Sequence, residues 1–275
     1  MAARPPTLVR IAGRRVPLRE EVRELAARRE LLVNLVRRDL TVRYKRSLLG
    51  FLWTFLNPLI FMVILTVVFG TLFAGNAGRF PAYILPAYLV LQFFLQTTTT
   101  AMTSMAWNGP ILRRVYVPPS LFPLSVVVSG FVNLGLSYLP LGLVMALTGA
   151  PFSWALVTVL PSSLLLFLFV LGCSWALAAV AVYFDDVRLM YQAGSYIFMF
   201  LTPIFYPLEI VPERFRPLIY ANPLYHFSEL IRTPVFHGQL PSWHHVAVAA
   251  AWAAGSLLLG WLVIRHLSPG FFRHL

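Results

Sequence analysis

Residues 154–184 read WALVTVLPSSLLLFLFVLGCSWALAAVAVYF, thirty-one positions without an Asp, Glu, Lys or Arg. At 1.5 Å per residue, about 20 apolar residues in an α-helix cross the roughly 30 Å hydrocarbon core of a bilayer. Five further stretches share this character: 51–73, 82–107, 121–148, 191–208 and 246–264, with 23, 26, 28, 18 and 19 uncharged residues. The fold class expected is an all-α integral membrane protein with six transmembrane helices. The fifth stretch is short, and Pro161 interrupts the fourth. Composition agrees: of 275 residues, 59% are hydrophobic and 12% charged, and the mean hydropathy is +0.74. So few polar side chains cannot cover a water-facing surface, which excludes an ordinary soluble globule and a disordered chain. The single cysteine, Cys173, excludes an intramolecular disulfide and a multi-cysteine metal site. The first apolar stretch begins at Phe51, too late and too long for a cleaved leader.

The formal net charge is +12, and 13 of the 22 Lys and Arg residues lie between Arg4 and Arg46. With the N-terminus in the cytoplasm, six spans return the C-terminus there. Eighteen basic residues then face inward, and four (Arg79, Arg214, Arg216, Arg232) face outward, a strong positive-inside bias. Orientation and anionic headgroups account for the basic excess, so no nucleic-acid partner is expected.

Residues 18–44 lack Pro and Gly and predict a helix. Arg23, Ala27, Glu30, Asn34, Arg37 or Arg38, and Thr41 form a polar face; Leu25, Leu32, Val33, Val36 and Leu40 fall opposite. Such a helix lies in the membrane interface, apolar side down, and Arg37, Arg38, Arg43, Lys45 and Arg46 meet the headgroups. The chain divides into a cytoplasmic tail and interface helix, 1–46, and a six-span membrane domain, 47–275. Between the second and third spans, Asn108-Gly109-Pro110 starts and Pro118-Pro119 stops a two-turn piece. That piece is either a connection with stop-transfer charges or a small helix docking in a groove of another protein, through Ile111, Leu112, Arg113, Arg114, Val115 and Tyr116. Asp185, Asp186 and Arg188 mark a cytoplasmic turn and a further partner contact. Outside, 209–245 carries five prolines; its uncharged part, 217–228, is too short to span and predicts a re-entrant segment against a protein-walled cavity.

The chemical inventory is mostly negative. A phosphate-binding Gly-x-x-x-x-Gly-Lys-Ser/Thr loop is missing, and Lys45 is the only lysine. No catalytic residue, metal ligand or cofactor of the chain's own is expected. Tyr183-Phe184-Asp185-Asp186 imitates a polymerase metal motif but has no second acidic cluster. His244 and His245 are adjacent and point apart on a helix. An intramembrane lipid-modifying enzyme would have to draw on Glu209, Glu213, Arg214, Arg216, His226 and Glu229. No ionisable residue lies deep in a span, which argues against proton coupling. Gln92, Gln96, Thr99 or Thr100, and Thr103 form a polar stripe, either for interhelical hydrogen bonds or for a hydroxyl-rich substrate. Gly135, Gly142 and Gly149, and Ala247, Ala251 and Gly255, predict close helix packing. Aromatics crowd span one (Phe51, Trp53, Phe55, Phe61) and span five (Tyr191, Tyr196, Phe198, Phe200, Phe205, Tyr206). They serve as interface belts or as stacking surfaces along a conduit.

Residues 43–59, RYKRSLLGFLWTFLNPL, resemble the entry into span one of polysaccharide ABC exporter permeases, which export lipid-linked O-antigens, capsular chains and teichoic acids. Residues 108–123 resemble that family's coupling loop. Residues 201–207, LTPIFYP, with Val211–Phe215 and Asn222-Pro223-Leu224, resemble its span-five exit and re-entrant region. The likeness runs from about residue 30 to the C-terminus; Pro119 stands where the family often has Arg or Lys. The resemblance implies a permease of the bacterial cytoplasmic membrane that pairs with a second copy of itself and with two ATP-binding cassette subunits, which bind the ATP and magnesium. It implies that 111–116, with Asp185, Asp186 and Arg188, docks the ATPase. It further implies a lipid-linked polysaccharide as substrate, moving along a path lined by Phe51, Trp53, Phe55, Tyr196, Phe198, Phe205 and Tyr206. A permease for a smaller substrate (drug, haem or lipid) would share the fold and the docking loop.

Overall fold

The computed structural model describes residues 18–45, 49–69, 79–114, 117–204 and 206–273, and no strand occurs among them. Among the described residues, four helices are long and apolar enough to cross a membrane: α4 (Phe80–Trp107), α6 (Leu121–Thr148), α7 (Val159–Ala181, extended at its start by a 3₁₀ turn, Trp154–Thr158) and α11 (Trp243–Leu267). Pro161 does not interrupt the fourth stretch. It occupies the first turn of α7, where no intrahelical partner exists for its missing N–H.

The first and fifth expected spans are shorter. α3 (Trp53–Phe69) has 17 residues and α8 (Asp186–Leu201) has 16, which at 1.5 Å each is about 25 Å. α8 is also displaced from 191–208 toward the N-terminus. Acidic Asp186 suits its first turn, and Pro203 holds Thr202 extended at ψ 123° and stops it.

The N-terminal segment is two helices, α1 (Leu18–Ala27) and α2 (Arg29–Tyr44), broken at Arg28. Its inner face differs from the one expected. Leu35 is buried, with Leu25, Leu31 and Leu32 packed around it, whereas Val33 is exposed. These leucines meet Leu112, Val117, Leu121 and Phe122 of α5 (Gly109–Arg114), the following loop and α6. Contact with α5 and the start of α6 sets the phase of α2, and the break at Arg28 decouples it from α1.

α4 runs through the middle of the bundle, with 18 of its 28 residues buried, and packs against α3, α6, α7 and α10 (Pro223–Arg232). The tightest helix contact is between α7 and α11, where a Cβ on Gly260 would fall 2.0 Å from the carbonyl oxygen of Gly172. The packed face of α11 therefore carries Ala249, Ala253, Gly260 and Ile264, not Ala247, Ala251 and Gly255. Likewise a Cβ on Gly135 or Gly142 would meet nothing within 4 Å, while one on Gly130 would strike Thr97 of α4.

Residues 217–228 belong to a helix–turn–helix, α9 (Arg216–Tyr220) and α10. Asn222 accepts the Leu224 N–H at 3.0 Å and donates its amide to Thr202 Oγ1 at 2.8 Å, capping α10 and tying it to the end of α8. Arg232, 2% exposed, donates to Glu229 Oε1 at 2.7 Å, to the Pro203 carbonyl at 2.7 Å and to the Tyr83 carbonyl at 3.2 Å, and lies over the Tyr83 ring. A buried guanidinium persists only when its donors are met in this way. It locks the outer segment onto α4.

Candidate functional site

Polar residues recur every fourth position on two facing helices. On α4 they are Gln92, Gln96, Thr100, Ser104 and Asn108, and on α6 Ser125, Ser129, Asn133 and Ser137. A step of four keeps side chains on neighbouring positions of one helix face. The first set continues the expected stripe to Asn108, the C-cap of α4; the second was not anticipated.

Two cavities lie along these rows. One, of about 240 Å³, is enclosed by α3, α4 and α6 and lined by Trp53, Asn57, Gln92, Gln96, Asn133 and Ser137 among others. The other, of about 390 Å³, lies toward α2 and is lined by Arg38, Thr100, Ser104, Asn108 and Ser129. The two polar rows, with these two separate cavities beside them, are the groove of this bundle.

The hydroxyls are satisfied locally. Thr100 Oγ1 donates to the Gln96 carbonyl at 2.8 Å, Ser104 Oγ to Ala101 at 2.7 Å, Ser129 Oγ to Ser125 at 2.8 Å and Ser137 Oγ to Asn133 at 2.9 Å. Each bonds back to its own helix and keeps its oxygen lone pairs for the groove. Asn133 Oδ1 accepts from Thr54 Oγ1 at 3.3 Å. Gln92 and Gln96 are different: both are exposed, and neither amide has a hydrogen-bond partner in the chain among the described residues. Interhelical hydrogen bonding therefore does not account for them, and their four donors and acceptors face the cavity.

At the α2 end, Arg38 Nη1 donates to Asn108 Oδ1 at 2.9 Å, and Asn108 Nδ2 donates to the Ser104 carbonyl at 2.7 Å. Arg38 also pairs with Asp39 at 3.1 Å. Arg37 and Lys45 are exposed. Ile111 is half-buried, and Leu112, 2% exposed, packs against Leu35 and Phe122. Leu112 is thus an internal residue, not the surface anchor expected. Asp185, Asp186 and Arg188 are exposed where α7 meets α8, Arg188 pairing with Asp185 at 3.6 Å. Arg46, Val115, Tyr116 and Phe205 lie outside the described residues; Arg43, Phe51, Arg113 and Arg114 are described in backbone only.

The described aromatics of the expected path stand in different surroundings within one chain. Trp53 lines the groove cavity. Phe55 is half-buried on α3, and Tyr196 is exposed on α8. Phe198 turns inward, edge-on to Phe94 with centroids 5.7 Å apart. Tyr206 donates to the Phe200 carbonyl at 2.8 Å, closing the turn after α8. Sequence reasoning missed Asn57 and Asn133, each the one amide in its span. Their signal was legible: an amide in hydrocarbon is costly unless it has a partner or faces a cavity.

Burial raises the Tyr225 phenol and lowers the His226 imidazole from their ordinary values, so both are neutral near pH 7.

A family model described as ABC-2 type transporter matches residues 30–236, which include the whole groove. An O-antigen export system permease protein of Myxococcus xanthus is 32% identical over 245 residues, covering 86% of this chain and 94% of the relative. One from Klebsiella pneumoniae is 27% identical over 200 residues, covering 71% and 76%. A capsule polysaccharide export inner-membrane protein of Neisseria meningitidis serogroup A is 22% identical over 255 residues, covering 90% and 94%.

Proposed function

This chain belongs to the ABC-2 type transporter family, and from that premise we propose that it is the transmembrane subunit of an exporter moving a lipid-linked polysaccharide across the bacterial cytoplasmic membrane. The relatives named for O-antigen and capsule export favour a polysaccharide over a drug, haem or lipid. The observation carrying the reading is the groove. Gln92 and Gln96 offer unpaired amides and α6 offers serine oxygens, and the paired charges of Arg38 and Asp39 stand only at the α2 end. Sugars exchange hydroxyl hydrogen bonds for just such groups, and the uncharged stretch between α4 and α6 holds no glycan tightly enough to stop it.

In this reading α3 and α8 complete six spans, both termini are cytoplasmic, and α9–α10 is the re-entrant segment. Residues 1–46 form the cytoplasmic and interface part, 47–275 the permease. A separate ATPase supplies the energy, because the chain has no phosphate-binding loop of its own. It docks on loop 111–116 together with Asp185, Asp186 and Arg188; Leu112 holds that loop in place from inside. A second copy of the chain completes the transporter, and the aromatics of α3 and α8 close the path when the two copies meet.

The test is complementation. A strain lacking this chain should lose surface polysaccharide and accumulate lipid-linked glycan inside. Wild type restores export; a Gln92→Leu, Gln96→Leu double variant at equal folded level should export several-fold less. Unchanged surface glycan in the deletion strain overturns the assignment. Full activity of the double variant overturns the groove alone.

A further inference from the structure

His226 on α10 meets His244 and His245 in the first turn of α11, and one ring nitrogen from each of the three lies within 4.8 Å of the others. This is the only such group of three among the described residues. Adjacent residues diverge by about 100° on a helix, so His244 and His245 alone cannot close on one point. His226 sits in the angle between them, its ring centroid 5.8 Å from His244 and 5.1 Å from His245. Nothing in the sequence near position 244 announces it, since the contact spans 18 residues.

The hydrogen bonds fix the tautomer of the buried member. His226, 1% exposed, has Nε2 2.9 Å from the Tyr220 carbonyl oxygen. A carbonyl only accepts, so Nε2 carries the hydrogen and Nδ1 presents a lone pair. That Nδ1 lies 2.9 Å from His245 Nδ1, which is therefore the donor here. An imidazole held at one nitrogen by a backbone carbonyl, with the other aimed into a histidine cluster, has the orientation that metal-ligating histidines adopt.

We propose that His226, His244 and His245 bind a zinc-class divalent ion that staples α10 to the start of α11. Neutral imidazoles suit zinc and its transition-metal neighbours, not magnesium or calcium. His226 ligates through Nδ1, its Nε2–H still on Tyr220. His245 moves its hydrogen to Nε2 and ligates through Nδ1, so no net proton is released by the switch. Zn–N bonds of 2.0–2.1 Å in a tetrahedron place nitrogens about 3.3 Å apart, so the 2.9 Å pair opens slightly and the exposed His244 swings in. Water takes the fourth position, on the open side. The metal ties the outer segment, already clamped to α4 by Arg232, to the last span.

Zinc chloride titrated into the full-length chain, carried in lipid nanodiscs without a polyhistidine tag, tests this by calorimetry. The expected result is one zinc per chain, with His244→Ala and His245→Ala each weakening it at least about tenfold, and His266→Ala, at the far end of α11, leaving it unchanged. His244 is exposed, so its variant keeps the test valid if His226→Ala fails to fold. No zinc uptake by the wild type, or uptake equal in wild type and His244→Ala, overturns the proposal and leaves the trio as a hydrogen-bonded contact.

Discussion

α4 and α8 are both apolar, aromatic-rich helices, yet 18 of 28 residues are buried in α4 and none of 16 in α8. Leu189, Met190, Tyr196, Ile197 and Phe200 of α8 all stand exposed. α8 meets α4 through the hydroxyls of Tyr191 and Thr98 and the rings of Phe198 and Phe94, among other contacts. In lipid, apolar side chains gain nothing by leaving hydrocarbon for protein, so packing and small residues decide which helix sits inside. α4 wins the centre because α6 brings Gly130 against it and Arg232 clamps its N-terminal end at Tyr83. α8 has one glycine, Gly194, with nothing against it. An apolar helix this bare is covered either by lipid or, in the proposed assembly, by a second copy of the chain.

The largest expected effect separates the two helices directly. Gly130→Val puts a Cβ 2.5 Å from Thr97 Oγ1 and 3.1 Å from the Phe93 ring, an overpacking that costs about 1–3 kcal/mol. Gly194→Val meets nothing within 4 Å and should be tolerated. Folded yield and thermal unfolding in detergent measure both. Equal damage from the two would mean that α8 is packed as tightly as α4.

A smaller effect distinguishes protein from lipid on α8. Ile197→Ala with Phe200→Ala trims the exposed face. If that face meets a second copy, the dimer weakens at least tenfold, a change of about 1.4 kcal/mol, while the unfolding temperature of the single chain stays put. Mass photometry over a concentration series reads the first quantity. An unchanged dimer assigns this face to lipid.

Much of this was visible in the sequence. The uncharged stretches 82–107, 121–148 and 246–264 became α4, α6 and α11 to within a few residues, and Asn108-Gly109-Pro110 does start a helix, α5. Helix phase was not legible. α11 is apolar all round, so nothing local distinguishes the Ala249–Ala253–Gly260 face from Ala247–Ala251–Gly255. α8 was mislaid because absence of charge marks what lipid accepts, not where a helix begins, and Asp185 and Asp186 open it. The α6 row from Ser125 to Ser137 was readable but overlooked; serines that bond back to their own helix look inert until Asn133 shows what they face.

The smallest effect concerns the inner end of the groove, where α2 touches α4. Arg38 is about half exposed, so its bond to Asn108 is worth less than a buried charge-assisted one; roughly 0.5–1.5 kcal/mol is expected. The neighbouring Asp39 pair adds roughly 0–1 kcal/mol. Single variants mix these terms with lost packing, because Asn108 also donates to the Ser104 carbonyl. A double-mutant cycle of Arg38→Ala and Asn108→Ala isolates the pair. Arg38→Lys supplies a further check: a point charge lacks the planar fork that reaches both Asn108 and Asp39, so it should retain less than half of the coupling. A coupling energy near zero would mean that the leucine cluster around Leu35 alone holds α2. In that case the α2 end of the groove is closed by apolar packing, and α2 leaves it only by exposing Leu35, Leu112 and Phe122.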